Sequence, residues 1–220
     1  MNMGIRDQAI YDLPAYGSSE AARYLGLSPH TLSQWISVNG LIQPPIANAL
    51  SFNNLAEAHV LKAMRRGHGL SMQAIRKALK ELGRIRKTAH PLLDESFETD
   101  GVNLCIREDD RVINLSRKQQ QEFRDLVAIY LHRVHRRDGV ATLLHPFITP
   151  DSLDQPEHIS ISPTISFGKP VLAGTGISTS VIVGRFKARD SVASLAEEYQ
   201  IDATILEDAI RWEMSQSKAA

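Results

Sequence analysis

The sequence predicts a mainly α-helical chain with one small β-hairpin. Three observations carry that expectation. Along several stretches of the 220 residues, apolar side chains recur every three or four positions, the stripe of an amphipathic helix. Serine and glycine stand where these stripes begin and end, as caps and turns do. Residues Val102 to Leu115 instead set short apolar runs on either side of Glu108-Asp109-Asp110, the pattern of two strands around a turn.

The first elements lie in Gly17 to Ile36, GSSEAARYLGLSPHTLSQWI. Ser18 or Ser19 is placed to cap a short helix, and Ala21, Ala22 and Leu25 give it an apolar face. Gly26 sits at the turn, where a positive φ carries no side-chain clash. Ser28-Pro29 opens a second helix, serine as cap and proline at the first helical position. Leu32, Trp35 and Ile36 share its inner face, so His30, Thr31, Ser33 and Gln34 are left outside. These short polar groups can reach base edges from a helix in the major groove. The segment is a helix-turn-helix. The same grammar also occurs in helical bundles that never touch nucleic acid.

Val38 to Phe52, with Gly40 and Pro44-Pro45, is too rich in proline for helix and reads as an extended loop or wing. Leu55, Ala58, Leu61 and Met64 then predict a helix over 54–66, broken at Gly67-His68-Gly69. Ser71 caps the next, with Ile75, Ala78, Leu79 and Leu82 on one face.

Charge separates the nucleic-acid reading from the bundle. The chain has 25 basic and 25 acidic residues, yet residues 1–90 hold 11 Lys/Arg against 5 Asp/Glu. Lys62, Arg65, Arg66, Arg76, Lys77, Lys80, Arg84, Arg86 and Lys87 lie between His59 and His90, with Glu81 the one acid among them. Solvated helical faces mix both signs, whereas a one-sided run suits a phosphate backbone. Ser28 and the four outward residues of its helix are therefore candidates to meet the bases, and Arg65, Arg66, Arg76 and Lys77 to hold phosphates.

Beyond the predicted hairpin, Ser116 caps a helix expected over 117–136, striped by Phe123, Leu126, Tyr130 and Val134. Prolines 146, 150 and 156 mark a linker. In the last quarter, PVLAGTGI is a tightly turned strand or arm leading to a helix at Ser178, and Ser191 caps another. Leu195, Tyr199, Ile205, Leu206, Ala209, Ile210 and Trp212 can close a three-helix core. This unit is acidic on its outer face and would repel phosphates, which points to a protein partner. Its glycines match neither phosphate-loop spacing.

One cysteine, Cys105, excludes an internal disulfide and a multi-cysteine zinc site. His132 and His135 are expected on one helical face, without a companion ligand at metal spacing. No nucleophile motif is recognisable. There is no signal peptide and no long apolar run, so a cytoplasmic protein without a membrane segment, enzymatic activity, cofactor or metal is expected.

Two resemblances add to this reading. Tyr16 to Gly83, with RRGHGLSMQAIRKAL after the wing, resembles the MerR-type winged helix. It departs from full MerR regulators in lacking a long coiled-coil dimerisation helix, so their effector mechanism does not carry over. Ile159 to Glu213 resembles the antitoxin-associated domain of unknown function numbered four-three-three, on Pro163, Ile165, Gly168-Lys169-Pro170-Val171, Gly174-Thr175, Ile177, Leu195, Tyr199 and Trp212. That family commonly has arginine where this chain has Gly176. Together the segments resemble a VapB-type antitoxin. The resemblance implies residues 1–90 as a DNA-binding domain, 91–145 as a connecting region, 146–158 as a linker and 159–220 as a toxin-binding domain. It further implies operator DNA and a PIN-like ribonuclease toxin as partners, in a homodimer or higher assembly. Lys169, Arg185, Lys187 and Trp212 are the candidate toxin contacts. The competing expectation is a ligand-responsive MerR-like regulator without a toxin, its middle region serving as sensor.

Overall fold

In the computed structural model, residues 8–38, 40–66, 71–94, 96–103, 105, 117–149 and 152–216 are described. Strand β1 (Tyr16–Gly17) runs directly into helix α1 (Ser18–Tyr24), and the turn at Gly26, φ +58°, leads to α2 (Pro29–Ser33). A wider turn, Gln34–Val38, extends α2. The wing returns as β2 (Ala49–Leu50), antiparallel to β1 with Tyr16 opposite Leu50. Neither Ser18 nor Ser19 caps α1 through its side chain. The Ser18 N–H donates to the Asn48 carbonyl (3.1 Å) instead, so the wing supplies the acceptor that a hydroxyl was expected to provide.

Helix α3 (Phe52–Arg66) is the centre of the molecule. Ser51 and Asn54 close its start reciprocally, each side chain accepting from the other's backbone N–H at 3.2 Å. Nearly every side chain from Phe52 to Met64 is buried, including Asn53, Asn54, Glu57 and His59. A stretch covered this fully pairs most of its polar groups inside. Asn53 donates to Asp12 (2.8 Å), Asn54 to the Gln43 carbonyl (3.2 Å), and Glu57 meets His90 at 2.9 Å. The next helix, α4 (Met72–Arg86), is capped by Ser71, which accepts from Ala74 N–H, and ends at Lys87 in the left-handed region.

The expected hairpin over 102–115 lies for the most part outside the described residues, and Val102, Asn103 and Cys105 are helical. Among the described residues the hairpin stands later. Helix α5 (Arg117–His132) stops four residues before the predicted end, and β3 (Val134–Arg137) turns back into β4 (Val140–Leu144). The turn is Asp138-Gly139, both at positive φ (51° and 78°), the strongest short-range hairpin signal a sequence offers. The apolar stripe of α5 runs on into Val134, which is why the periodicity extends the helix past its true stop.

Within the 146–158 segment expected as a linker, the described residues are tied to one another. The Gln155 side chain accepts from Ile148 and Thr149 N–H (2.7 and 3.0 Å) and donates to the Thr149 carbonyl (2.7 Å). Leu144 and Ile161 exchange backbone hydrogen bonds of 3.0 and 2.9 Å, so the hairpin edge continues into β5 (Ile159–Ser160), itself antiparallel to β6 (Val171–Leu172). Three helices complete the chain: α6 (Thr179–Lys187), α7 (Val192–Tyr199) and α8 (Ala203–Gln216). Ser191 caps α7 by accepting from Ser194 N–H, but Ser178 makes no cap bond and pairs with the Ser180 hydroxyl at 2.8 Å.

Two apolar clusters result. The larger runs from Tyr11 through α1–α5 and the hairpin to Ile161, and takes in Trp212. The smaller joins Leu172, Ile182, Val183, Leu195, Leu206, Ala209 and Ile210. No helix among the described residues is long and apolar enough to cross a membrane.

Candidate nucleic-acid interface

Helix α2 is built to show its outer face. Leu32 and Trp35 are fully buried beneath it, while Ser28, His30 and Ser33 are exposed and Thr31 and Gln34 half-buried. The Ser28 hydroxyl accepts from Thr31 N–H (3.1 Å) and lies 2.8 Å from the Thr31 hydroxyl. His30 and Gln34, one turn apart, meet at 3.0 Å. Ser28 and Thr31 thus spend part of their hydrogen-bonding capacity on the helix start. His30, Ser33 and Gln34 form the outward polar edge.

The turn before α2 is fixed from behind. Lys62, on α3, donates to the Leu25 carbonyl at 2.6 Å, a cation at a helix C-terminus where carbonyls lack partners. Burial first, then Arg66, brings its pKa down to about 8. Lys62 is therefore a strut of the helix-turn-helix, although its sequence context placed it among the solvent-facing cations. Arg66 follows it by one turn on the same face of α3, which sets Arg66 beside the helix-turn-helix turn.

Arg65, Arg66, Arg76, Lys77 and Lys80 are exposed. On α4 the cations occupy the face opposite buried Ile75, Ala78 and Leu79. Within the basic run Arg84 bridges Glu81 (2.8 Å) and Arg86 bridges Asp100 (2.8 Å). Both pairs are exposed, so they are weak and open to competition.

The C-terminal candidates separate into two kinds. Lys169 and Lys187 are exposed. Arg185 sits in a fork with Asp190 and both oxygens of Glu198 (2.7 and 2.8 Å), and these bonds raise its pKa further above the ordinary arginine value. Its guanidinium ties α6 to α7 rather than standing ready for a partner. Trp212, expected at a binding surface, is fully buried. Its ring lies 5.8 Å from that of Tyr24 on α1, and in the orientation its neighbours require the Gln216 amide accepts from Trp212 Nε1 (3.2 Å) and donates to the Arg23 carbonyl. An indole on the last helix reads as a surface anchor only while the helix-turn-helix it packs against is out of view.

Trp212 is one of several contacts that dock the C-terminal unit on the N-terminal one. Arg23 and Glu213 approach to 3.4 Å, and Glu213 also accepts from the Thr179 hydroxyl (2.7 Å). Gly168, φ +81°, lies so close to Tyr16 that a Cβ would stand 2.7 Å from its hydroxyl. Beside it, Phe167 is 97% exposed with φ 56°. Left-handed backbone is uncommon for a bulky residue and marks a side chain the fold holds out.

Two parts of the chain match known families. Residues 16–82 match the model of the MerR HTH family regulatory proteins, and 159–212 that of the protein family of unknown function DUF433. The chain is 28% identical over 232 residues to a putative antitoxin, VapB45, of Mycobacterium tuberculosis, covering 91% of this chain and 94% of that one. A crystal structure of Rv2018 from the same organism aligns with a TM-score of 0.71 at 25% identity, over 91% of this chain and 99% of that chain. The mainly helical architecture and the likeness to VapB-type antitoxins both extend over most of the chain.

Proposed function

From a chain with a MerR-type helix-turn-helix at one end and a DUF433 segment at the other, we propose a DNA-binding antitoxin. It neutralises a PIN-like ribonuclease by direct contact and represses its own operon. The observation that carries the reading is the exposed polar edge of α2 together with the exposed arginines and lysines of α3 and α4. His30, Ser33 and Gln34 read base edges, with Ser28 and Thr31 holding the start of the helix, and Arg65, Arg66, Arg76 and Lys77 grip phosphates. Two copies place two reading helices on successive half-sites. The C-terminal unit, acidic outside and docked beside the helix-turn-helix, presents Phe167, Lys169 and Lys187 to the toxin. An aromatic flanked by lysine suits an interface anchor, and a lysine can neutralise the carboxylates of a metal-dependent ribonuclease.

The test separates the two surfaces in the full-length protein. Replacing Arg65 and Arg66 by alanine should weaken binding to every DNA sequence and lower the salt slope by about 2; an unchanged slope in a filter or anisotropy titration takes them out of the interface. Phe167→Ala should leave DNA binding intact and weaken capture of the ribonuclease encoded beside it by at least about tenfold. Equal capture by the two proteins would move the toxin surface elsewhere.

One observation favours a second reading, a ligand-responsive regulator. A cleft of about 680 Å³ opens between the wing and α4, lined by Asp12, Glu57, Arg76, Lys80 and His90 among others. Full inhibition of the neighbouring ribonuclease by the purified chain would decide for the antitoxin, and absence of inhibition for the regulator.

A further inference from the structure

His135 on β3, His145 just beyond β4 and Glu157 ahead of β5 stand far apart in the sequence, and the hairpin brings them together. One ligand atom from each lies within 4.8 Å of the other two. His135 Nε2 is 3.2 Å and His145 Nε2 3.6 Å from Glu157 Oε2. Ligands on a tetrahedral zinc ion, with bonds near 2.0–2.1 Å, lie about 3.3 Å from one another. Both histidine-to-carboxylate distances lie close to that value, and the two imidazoles offer nitrogens within 4.8 Å of each other.

The hydrogen bonding on the far side matches as well. His145 is almost wholly buried, and its Nδ1 lies 2.8 Å from the Ile159 carbonyl. A carbonyl only accepts, so Nδ1 carries the proton, and Nε2 presents a lone pair to the carboxylate. Two acceptors then face each other across 3.6 Å, and a cation held between them would satisfy both. A backbone carbonyl on the remote nitrogen is also the partner that fixes a metal-ligating histidine in its tautomer and orientation. The pairing of β3 with β4 shifts register between His135 and Arg136, a bulge of the kind that re-aims a side chain toward a site. Arg133, whose charge reaches His145 and Glu157, directs its nitrogens to the Gln155 and Pro156 carbonyls and lies over the Phe147 ring.

We propose that His135, His145 and Glu157 bind a divalent cation of the zinc class. Two imidazoles and a carboxylate are a donor set that zinc takes with its fourth position open, and the half-exposed His135 and Glu157 leave that position to water. Because His135 and His145 belong to the hairpin and Glu157 to the strand entry of the C-terminal unit, the ion staples one to the other. The charge of Arg133 nearby makes the site one of moderate affinity that exchanges its metal. Neither sequence spacing nor helical periodicity could show the trio, since His135 falls on a strand and not on the helical face shared with His132.

The test is a calorimetric titration of the full-length, tag-free, chelator-stripped protein with Zn²⁺ alone, followed by the visible spectrum with Co²⁺. The expected result is one saturable equivalent and a tetrahedral Co²⁺ band. Binding should weaken by about a hundredfold in His135→Ala and in Glu157→Gln, both at half-exposed positions that the fold tolerates. His132→Ala, on the exposed end of α5, should bind as the parent does. Absence of a saturable equivalent in the folded parent overturns the site. So does undiminished binding in both variants.

Discussion

At the scale of single residues, the burial of polar groups in α3 has consequences that titration can read. His59 lies between the rings of Tyr130 (4.9 Å) and Phe147 (5.6 Å), with Nε2 unpartnered. Burial first, then Lys62 and Arg133, bring its pKa down to about 3. In the unfolded chain it takes a proton near 6.5. The stability it contributes is therefore complete above 6.5 and falls as the pH drops toward 3, by about 1.4 kcal/mol per pH unit. His90 behaves oppositely. Burial works against its charge, but Glu57 and Asp12 outweigh that and raise its pKa, so its contribution is complete at low pH and lost as the pH rises through the folded value. Urea melts from pH 6 to 4 should show the fall, and His59→Phe should flatten it by about one proton. A variant with the parent's slope would assign the acid sensitivity to other groups.

At the scale of elements, caps and turn residues decide where helices begin; Ser28, Ser71 and Ser191 are legible as caps one residue at a time, whereas Ser18, Ser19 and Ser178 make no side-chain cap bond. Ser28, Ser51, Ser71 and Ser191 each accept from the N–H three residues on, as short hydroxyl side chains ahead of apolar stripes should. Ser28→Ala should cost about 1 kcal/mol in a thermal melt and weaken operator binding. Ser28→Asp should restore the stability, since aspartate caps equally well, yet weaken binding further because its charge faces phosphate. Recovery of DNA affinity with the aspartate would show that the cap alone matters. The hairpin was harder to place. Asp138-Gly139 carries the local signal, but the stripe ending in Val134 and the turn-forming acids at 108–110 outweigh it in the pattern. Periodicity has no way to report that α5 stops at His132, because apolar residues on a strand and on a helix face look alike over so short a run.

At the scale of the whole molecule, the C-terminal unit rests on the helix-turn-helix and shares its core through Trp212. Gly168 has a physical reason at this junction, a positive φ and no room for a Cβ beside Tyr16. Gly168→Ala should destabilise the protein by about 1–3 kcal/mol. Adding Tyr16→Phe should recover part of the loss, since it removes the hydroxyl that the new methyl meets and that is buried without a partner. Strictly additive effects in a double-mutant cycle would place the strain in the backbone alone. The same docking explains why the candidate interface was only partly legible. His30, Ser33, Gln34, Arg65 and Arg66 are surface residues of single helices, and helical phase alone puts them outside. Lys62, Arg185 and Trp212 were assigned to surfaces by type, and each is occupied by a neighbour that comes from another element.

The sequence by itself determined the helix-turn-helix, the caps at Ser28, Ser71 and Ser191, the cationic run and the glycine-bearing arm, because each rests on interactions within a few residues along the chain. Tertiary structure alone decided that α3 is buried on nearly every side from Phe52 to Met64, that Trp212 belongs to the N-terminal core and that His135, His145 and Glu157 come together. Those outcomes depend on which surfaces exclude water from one another, and contacts between distant segments leave no periodic trace in either partner.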